Sequence, residues 1–182
     1  MGAREIEIYL SYLATEKKTI AIDYREMAPA AAHRDMFLDA AGDVDNRLAR
    51  HSLQSSGVPG TVAGLLHAHD NYGVLELKQV MAPAIALARN GFAMSVDLAT
   101  SLDSRYDRLT RNAATQGYFY KPDGTRYKPG EQWLQADLAA TLQRIAKGGR
   151  DGFYGGQGQY KKAKPQHKGG GGHGFSCPFD GI

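Results

Sequence analysis

The sequence predicts a mixed α/β (α+β) fold in which a β-hairpin at the N-terminus precedes a helix-rich part. Residues 5–10 and 19–24 alternate polar and apolar side chains, which is the period of half-buried strands, and the polar residues 15–18 separate them. Apolar residues then recur at helical spacing in four later segments, three of which are followed by glycine. We therefore expect a hairpin followed by four amphipathic helices.

The connection after the hairpin and the first helix have clear signals. Residues 39–56 contain Gly42, many charges and no apolar period, so we interpret them as a loop. The first helix is predicted to begin at Pro59-Gly60-Thr61, with Thr61 as its cap, and to end at Gly73.

The second and third helices follow directly. The second is predicted from Glu76 to Gly91, and Pro83 within it predicts a kink or a break. The third is predicted to begin after Ser95. The residues expected to face inward are Leu77, Val80, Met81, Ala84, Ile85 and Ala88 in the second helix, and Leu98, Leu102 and Leu109 in the third.

The last part of the predicted domain is a turn-rich stretch and a fourth helix. Residues 112–130 are rich in turn formers, and Pro122-Asp123-Gly124 is a strong turn signal. The fourth helix is predicted from about Gln135 to residues 148–149. Its expected inward residues are Leu138, Leu142 and Ile145, and Phe153 and Tyr154 would provide the next anchor.

A change of composition after Tyr154 divides the chain. Residues 1–154 are predicted to form the domain, whereas residues 155–182 are rich in glycine and lysine and have no apolar period. Such a segment buries too little apolar surface to offset its ordering entropy, so we predict that it is disordered. The alternative is that residues 155–182 are read out of frame.

Composition excludes several classes of protein. The 182 residues are 42% hydrophobic and 23% charged, and no apolar run is long enough to span a membrane. The first residues lack the basic start and apolar core of a signal peptide, so we expect none in this chain. The single cysteine excludes an internal disulfide and a cysteine metal cluster. The lysines of the tail have too few aromatic neighbours for a nucleic-acid platform, so we expect no nucleic-acid partner.

Arg25, at the end of the second predicted strand, is the main candidate for a binding residue. Its planar guanidinium can make two parallel hydrogen bonds to a carboxylate. It could equally be a structural arginine that pairs with Glu26 or Asp23. From the residues alone, both interpretations stay open.

The other candidates are weaker. Arg34 and Asp35 are typical of a local ion pair. His67 and His69 are two positions apart, which places them on different faces of a helix and disfavours a shared metal ion. The glycines of residues 57–60 lack the spacing of a phosphate-binding loop and are typical of a tight turn. We therefore expect no metal site.

Three segments in this order resemble γ-glutamyltransferases, which are also called glutathione hydrolases. They are DYREMAPAAAHRDMFLD at residues 23–39, GVPGTVAGL at 57–65 and APAIALARNGF at 82–92. The chain is similar to part of the large subunit of these enzymes. The resemblance implies an incomplete N-terminal nucleophile hydrolase fold, which is an αββα sandwich, and an enzyme that cleaves itself into large and small subunits.

The resemblance also implies an activity. Such enzymes transfer the γ-glutamyl group of glutathione and related donors to water, amino acids or peptides through a γ-glutamyl-threonine intermediate, without a cofactor. The nucleophile lies in a Thr-Thr-His motif of the small subunit. This chain does not contain that motif. Thr61 matches a helix start and not the Thr-Thr-His motif. We therefore expect no catalytic residue on this chain, a need for a small-subunit partner, and no activity from the chain alone.

For the site, the resemblance implies that Arg25 binds the α-carboxylate of the γ-glutamyl donor. Glu26 could orient Arg25 or simply solvate the strand end. The family also implies a periplasmic or secreted location. Two alternatives stay open: a cephalosporin acylase-type relative with another donor, and a non-catalytic remnant or binding fragment.

Overall fold

The computed structural model describes residues 8–155, which form parts of two compact units. The first unit comprises residues 8–27 and 59–155, and the second comprises residues 28–58. The predicted disorder of residues 156–182 and the predicted strand residues 5–7 lie outside the described part of the chain. The domain boundary at Tyr154 stays a prediction.

An antiparallel hairpin begins the first unit. Strand β1 (Ile8–Leu13) pairs with β2 (Lys18–Asp23) over the whole length of both strands. Ile20 and Ile22 of β2 are buried, and their neighbours are exposed, which confirms the predicted alternation for this strand. In β1, Ile8, Tyr9 and Leu10 are all exposed, so the alternation predicted for that strand was wrong there. The predicted end of β1 and start of the turn were wrong, because the strand pairing continues to Leu13, which pairs with Lys18, and the tight turn lies at residues 14–17. Lys17 adopts a positive φ of 52° there.

Three longer helices follow the predicted pattern. They are α2 (Thr61–Tyr72), α3 (Leu77–Asn90) and α7 (Ala136–Gly148). Helices α3 and α7 pack against each other, and Ala88 and Ile145 are buried. Val80 and Ala84 are exposed, so the inward face of α3 is narrower than predicted.

Two details at the helix starts and interiors differ from the predictions. Gly60, not Thr61, is the N-cap of α2, and Thr61 is its first residue. Helix α3 continues through Pro83 without the predicted break. Its start is strong, because Glu76 and Gln79 form a reciprocal capping box.

A second strand pair and short helices complete the first unit. Strand β3 (Phe92–Ala93) pairs antiparallel with β4 (Gln132–Trp133). The short helices are α4 (Val96–Asp103), α5 (Tyr106–Leu109), α6 (Ala113–Phe119) and α8 (Asp151–Tyr154). Buried Met94, Tyr120 and Trp133 form the core beside β4.

The stretch at residues 112–130 is more ordered than the turn signals indicate. Asn112 accepts hydrogen bonds from the backbone N–H groups of Ala114 and Thr115 and so starts α6, a helix that the turn-rich interpretation missed. The predicted turn at residues 122–124 is present, and Gly124 has the positive φ of 78° that favours glycine.

The second unit corrects the loop prediction. Residues Asn46–His51 form helix α1, followed by a 3-10 helix at Leu53–Ser55. The Asp45 carboxylate accepts hydrogen bonds from the N–H groups of Arg47 and Leu48, which satisfies donors at the helix start. A good cap therefore stabilises a short helix that has no clear apolar period.

Glu131 forms hydrogen bonds that order the approach to β4 and predict a pH dependence of stability. It accepts hydrogen bonds from the Lys121 ammonium and from the backbone N–H of Lys128, and these hold its pKa below the ordinary value. A lowered folded-state pKa gives stability that is present above the unfolded pKa and lost as the pH falls through the folded one. We expect stability to decline as the pH falls below 4.5, and to decline less steeply in Lys121→Met than in Lys78→Met. Urea unfolding across this range measures the difference, and equal pH dependence in both variants would contradict it.

Candidate functional site

Arg25 lies two residues beyond β2, in a backbone that its neighbours fix. Its N–H donates to Asp23 Oδ1 at 3.1 Å, which turns the chain as the strand ends. Its Nε donates to Glu26 Oε1 at 3.3 Å. Asp23 is therefore a backbone-fixing residue, and Glu26 is the direct partner of the guanidinium.

The Arg25–Glu26 pair is partly open to solvent. The side chains are 55% and 47% exposed, and a pair of this kind contributes about 0–1 kcal/mol to stability. Within the described residues, Glu26 is the only side chain bonded to the guanidinium, and it engages Nε. The Nη donors thus stay available for the two oxygens of an incoming carboxylate.

Two glycines of α2 allow this segment to pack closely on the helix. A Cβ at Gly60 would overlap the carbonyl oxygen of Tyr24 and lie 2.8 Å from that of Arg25. A Cβ at Gly64 would overlap the Cβ of Tyr24 and lie 2.5 Å from its Cγ. Because these glycines are four residues apart, they share one face of the helix start. The segment that carries Arg25 therefore packs directly against the backbone of the α2 start at Gly60 and Gly64.

Sequence reasoning identified Arg25 and Glu26 but missed this supporting surface. The sequence indicates Gly60 as part of a tight turn and a helix start, and it does not single out Gly64. The four-residue spacing of Gly60 and Gly64 within the segment GVPGTVAGL indicates that they share one helix face. What they contact could not be read from it.

The remaining candidates make local contacts of their own. Arg34 and Asp35 form a local pair at 3.7 Å in the second unit, with side chains 96% and 64% exposed. His69 Nε2 lies 2.8 Å from the carbonyl oxygen of Leu75, where it donates a hydrogen bond. Among residues 8–155, no cluster of three or more histidine, cysteine or acidic residues could hold a metal ion.

Two surface clefts of the first unit lie away from Arg25. One, of about 770 Å³, is lined by residues that include Asp103, Tyr106 and Arg126. The other, of about 440 Å³, is mainly apolar and is lined by residues that include Leu66 and Met81. Arg25 lines neither cleft. In the part of the chain that the structure covers, no helix is long and apolar enough to cross a membrane.

The chain is similar to known glutathione hydrolases. It is 42% identical over 153 residues to the glutathione hydrolase proenzyme of Escherichia coli strain K12, a match that covers 84% of this chain and 26% of that protein. The crystal structure of Helicobacter pylori gamma-glutamyltranspeptidase matches with a TM-score of 0.78 at 38% identity, over 85% of this chain and 45% of that chain. The enzyme from Pseudomonas nitroreducens, solved in complex with L-DON, matches with a TM-score of 0.72 at 35% identity, over 86% of this chain and 45% of that chain.

These matches identify the fold and the part of it that this chain carries. The chain spans about a quarter of the length of the curated relatives and carries part of an N-terminal nucleophile hydrolase fold, with the hairpin and the helix-rich region predicted from sequence. A family profile described as gamma-glutamyltranspeptidase matches residues 7–171, a range that extends beyond Tyr154. On these grounds, the chain belongs to the gamma-glutamyltranspeptidase family.

Proposed function

We propose that this chain is part of an enzyme that transfers γ-glutamyl groups from glutathione and related donors to water, amino acids or peptides. The observation that carries the proposal is the half-exposed Arg25 guanidinium, held at Nε by Glu26 at the end of β2. Among residues 8–155 no partner occupies the outer planar donors of this cation, and such donors are the groups that recognise an α-carboxylate.

In this proposal Arg25 sets the position of the donor. Two parallel hydrogen bonds to the α-carboxylate fix both the location and the rotation of the glutamyl group. The γ-carbonyl is then presented at a constant distance from the attacking group, which lowers the entropic part of the barrier. Glu26 orients the guanidinium through Nε and leaves its outer donors for the ligand.

The covalent chemistry belongs to a small-subunit partner. A threonine at the new N-terminus of that subunit attacks the γ-carbonyl carbon, its own amine accepts the hydroxyl proton, and the donor's amide C–N bond breaks. The leaving amine takes the proton. Water or an acceptor amine then attacks the resulting ester, the ester C–O bond breaks, and the threonine hydroxyl regains its proton from the attacking group. Neither a metal nor a cofactor is required. The family relationship also favours action in the periplasm or outside the cell.

The chain alone is proposed to be inactive, because it lacks the Thr-Thr-His motif that carries the nucleophile. The test compares the full chain with a chimera in which residues 8–155 replace the matching segment of the Escherichia coli proenzyme. Both are assayed for release of nitroaniline from γ-glutamyl-p-nitroanilide. We expect self-cleavage and turnover from the chimera and none from the chain.

Two outcomes would contradict the proposal. Turnover by the chain alone that Arg25→Ala abolishes would show that the chain needs no partner nucleophile. A chimera that cleaves itself but turns over no γ-glutamyl donor would show that this segment serves another donor or only a binding role.

A further inference from the structure

The hydroxyl of Tyr154 joins α8 to the first turn of α2. It donates to the carbonyl oxygen of Pro59 at 2.7 Å and accepts from the N–H of Ala63 at 3.2 Å. The donor and the acceptor capacity of one partly buried hydroxyl are thus both directed at the same helix start.

This contact supplies what the local sequence of α2 lacks. Gly60 is the N-cap and has no side chain with which to satisfy the first N–H groups of the helix. Tyr154 bonds one of these donors, at Ala63, and also holds the carbonyl that enters the helix at Pro59. The position of the first turn is therefore set from α8.

Helix α8 is itself firmly placed. It packs on α7, and a Cβ at Gly152 would overlap the carbonyl oxygen of Arg144. The Tyr154 N–H donates to the carbonyl oxygen of Arg150 at 2.9 Å, and the Arg150 guanidinium lies 5.0 Å from the centre of the Tyr154 ring. The hydroxyl thus acts from a fixed support.

We propose that Tyr154 is a positioning residue for Arg25. Its hydroxyl fixes the first turn of α2, and the glycine face of that turn fixes the backbone of Tyr24 and Arg25. The inference rests on the proposed role of Arg25 in binding an α-carboxylate. A small shift of the first turn of α2 would misplace the Arg25 guanidinium. Its two parallel hydrogen bonds to a carboxylate depend strongly on orientation.

The variant Tyr154→Phe removes the hydroxyl and keeps the ring. Its matched control is Tyr106→Phe, which removes a hydroxyl that donates to the carbonyl oxygen of Gly124 at 3.2 Å. Both variants lose a tyrosine hydroxyl from the same unit, but only Tyr154 contacts the start of α2. A second variant, Gly60→Ala, disturbs the same path where α2 meets Tyr24.

The experiment uses the full chain and the NMR signal of the Arg25 Nε–H, assigned from its loss in Arg25→Ala. Circular dichroism establishes which variants fold. Without ligand, we expect Tyr154→Phe and Gly60→Ala to shift this signal and lower its heteronuclear NOE, and Tyr106→Phe to leave both unchanged. Either of the first two variants decides the outcome if the other does not fold.

The same samples are then titrated with L-glutamine and with isoglutamine. These isomers have equal net charge, but only glutamine has a free α-carboxylate beside a γ-amide. We expect glutamine to bind the wild-type chain preferentially, and Tyr154→Phe to weaken its binding roughly threefold to tenfold. Tyr106→Phe should retain the wild-type affinity.

The outcomes separate this inference from the function on which it rests. An Arg25 signal that responds equally to Tyr154→Phe and Tyr106→Phe would overturn the positioning role of Tyr154. A preference for glutamine that survives Arg25→Ala, or no preference in the wild-type chain, would instead overturn the proposed α-carboxylate site.

Discussion

Replacing Arg25 with alanine is expected to lower the kcat/KM of the chimera for γ-glutamyl-p-nitroanilide by roughly 10²- to 10⁴-fold. Each hydrogen bond to a charged group is worth about 1.5–3 kcal/mol, and the guanidinium is proposed to make two of them. About 1.4 kcal/mol corresponds to a tenfold change, so the two bonds together give this range. Steady-state kinetics on the self-cleaved chimera measures the loss.

Two further variants show whether the planar fork of Arg25 is needed. Arg25→Lys keeps the charge but loses the paired geometry, so its kcat/KM should lie between those of the wild type and Arg25→Ala. Arg34→Ala breaks another pair of neighbouring opposite charges, which is more exposed, and should leave kcat/KM nearly unchanged. Equal losses in Arg25→Ala and Arg34→Ala would show that the effect is not specific to the site.

Replacing Gly64 with alanine is expected to destabilise the chain by up to about 2 kcal/mol net, because overpacking usually costs about 1–3 kcal/mol. The new Cβ would overlap the Cβ of Tyr24, which cannot move without its backbone. This cost must exceed the gain of about 1 kcal/mol that alanine normally brings to a helix interior. Urea unfolding of the full chain measures the change.

Gly117 provides the matched control for this prediction. It also lies within a helix, α6, but an added Cβ would meet no atom within 4 Å. Gly117→Ala should therefore be neutral or stabilising, because only the helix-propensity term acts. If both alanines change stability in the same direction, the close packing of Gly64 on Tyr24 does not support the Arg25 segment.

Local patterns predicted much of the fold. Strand β2 and helices α3 and α7 were predictable because their inward residues repeat with a clear period and their ends have strong signals. Helices α1 and α6 were missed because each is short and depends on one capping side chain, Asp45 or Asn112, in a polar setting. The end of β1 was predicted too early because alternation fixes the period of a strand and not where it ends.

The site was predictable only in part, for a similar reason. Arg25 and Glu26 are adjacent, so their pairing follows from local sequence. The contacts of Tyr154 with Pro59 and Ala63 join residues 95 and 91 positions apart. The packing of Gly64 on Tyr24 likewise depends on how a helix meets the end of a strand, which no local pattern encodes.

The most direct test of the Arg25 site is a double-mutant cycle between the arginine and the donor's α-carboxylate. The kcat/KM of the wild-type and Arg25→Ala chimeras is measured with γ-glutamyl-p-nitroanilide and with its α-carboxamide analogue. If the two groups bind each other, removing the carboxylate should cost the wild type roughly 10²- to 10⁴-fold and cost Arg25→Ala far less. Equal costs in both proteins would show that Arg25 and the α-carboxylate act independently, and would contradict the proposed role of Arg25.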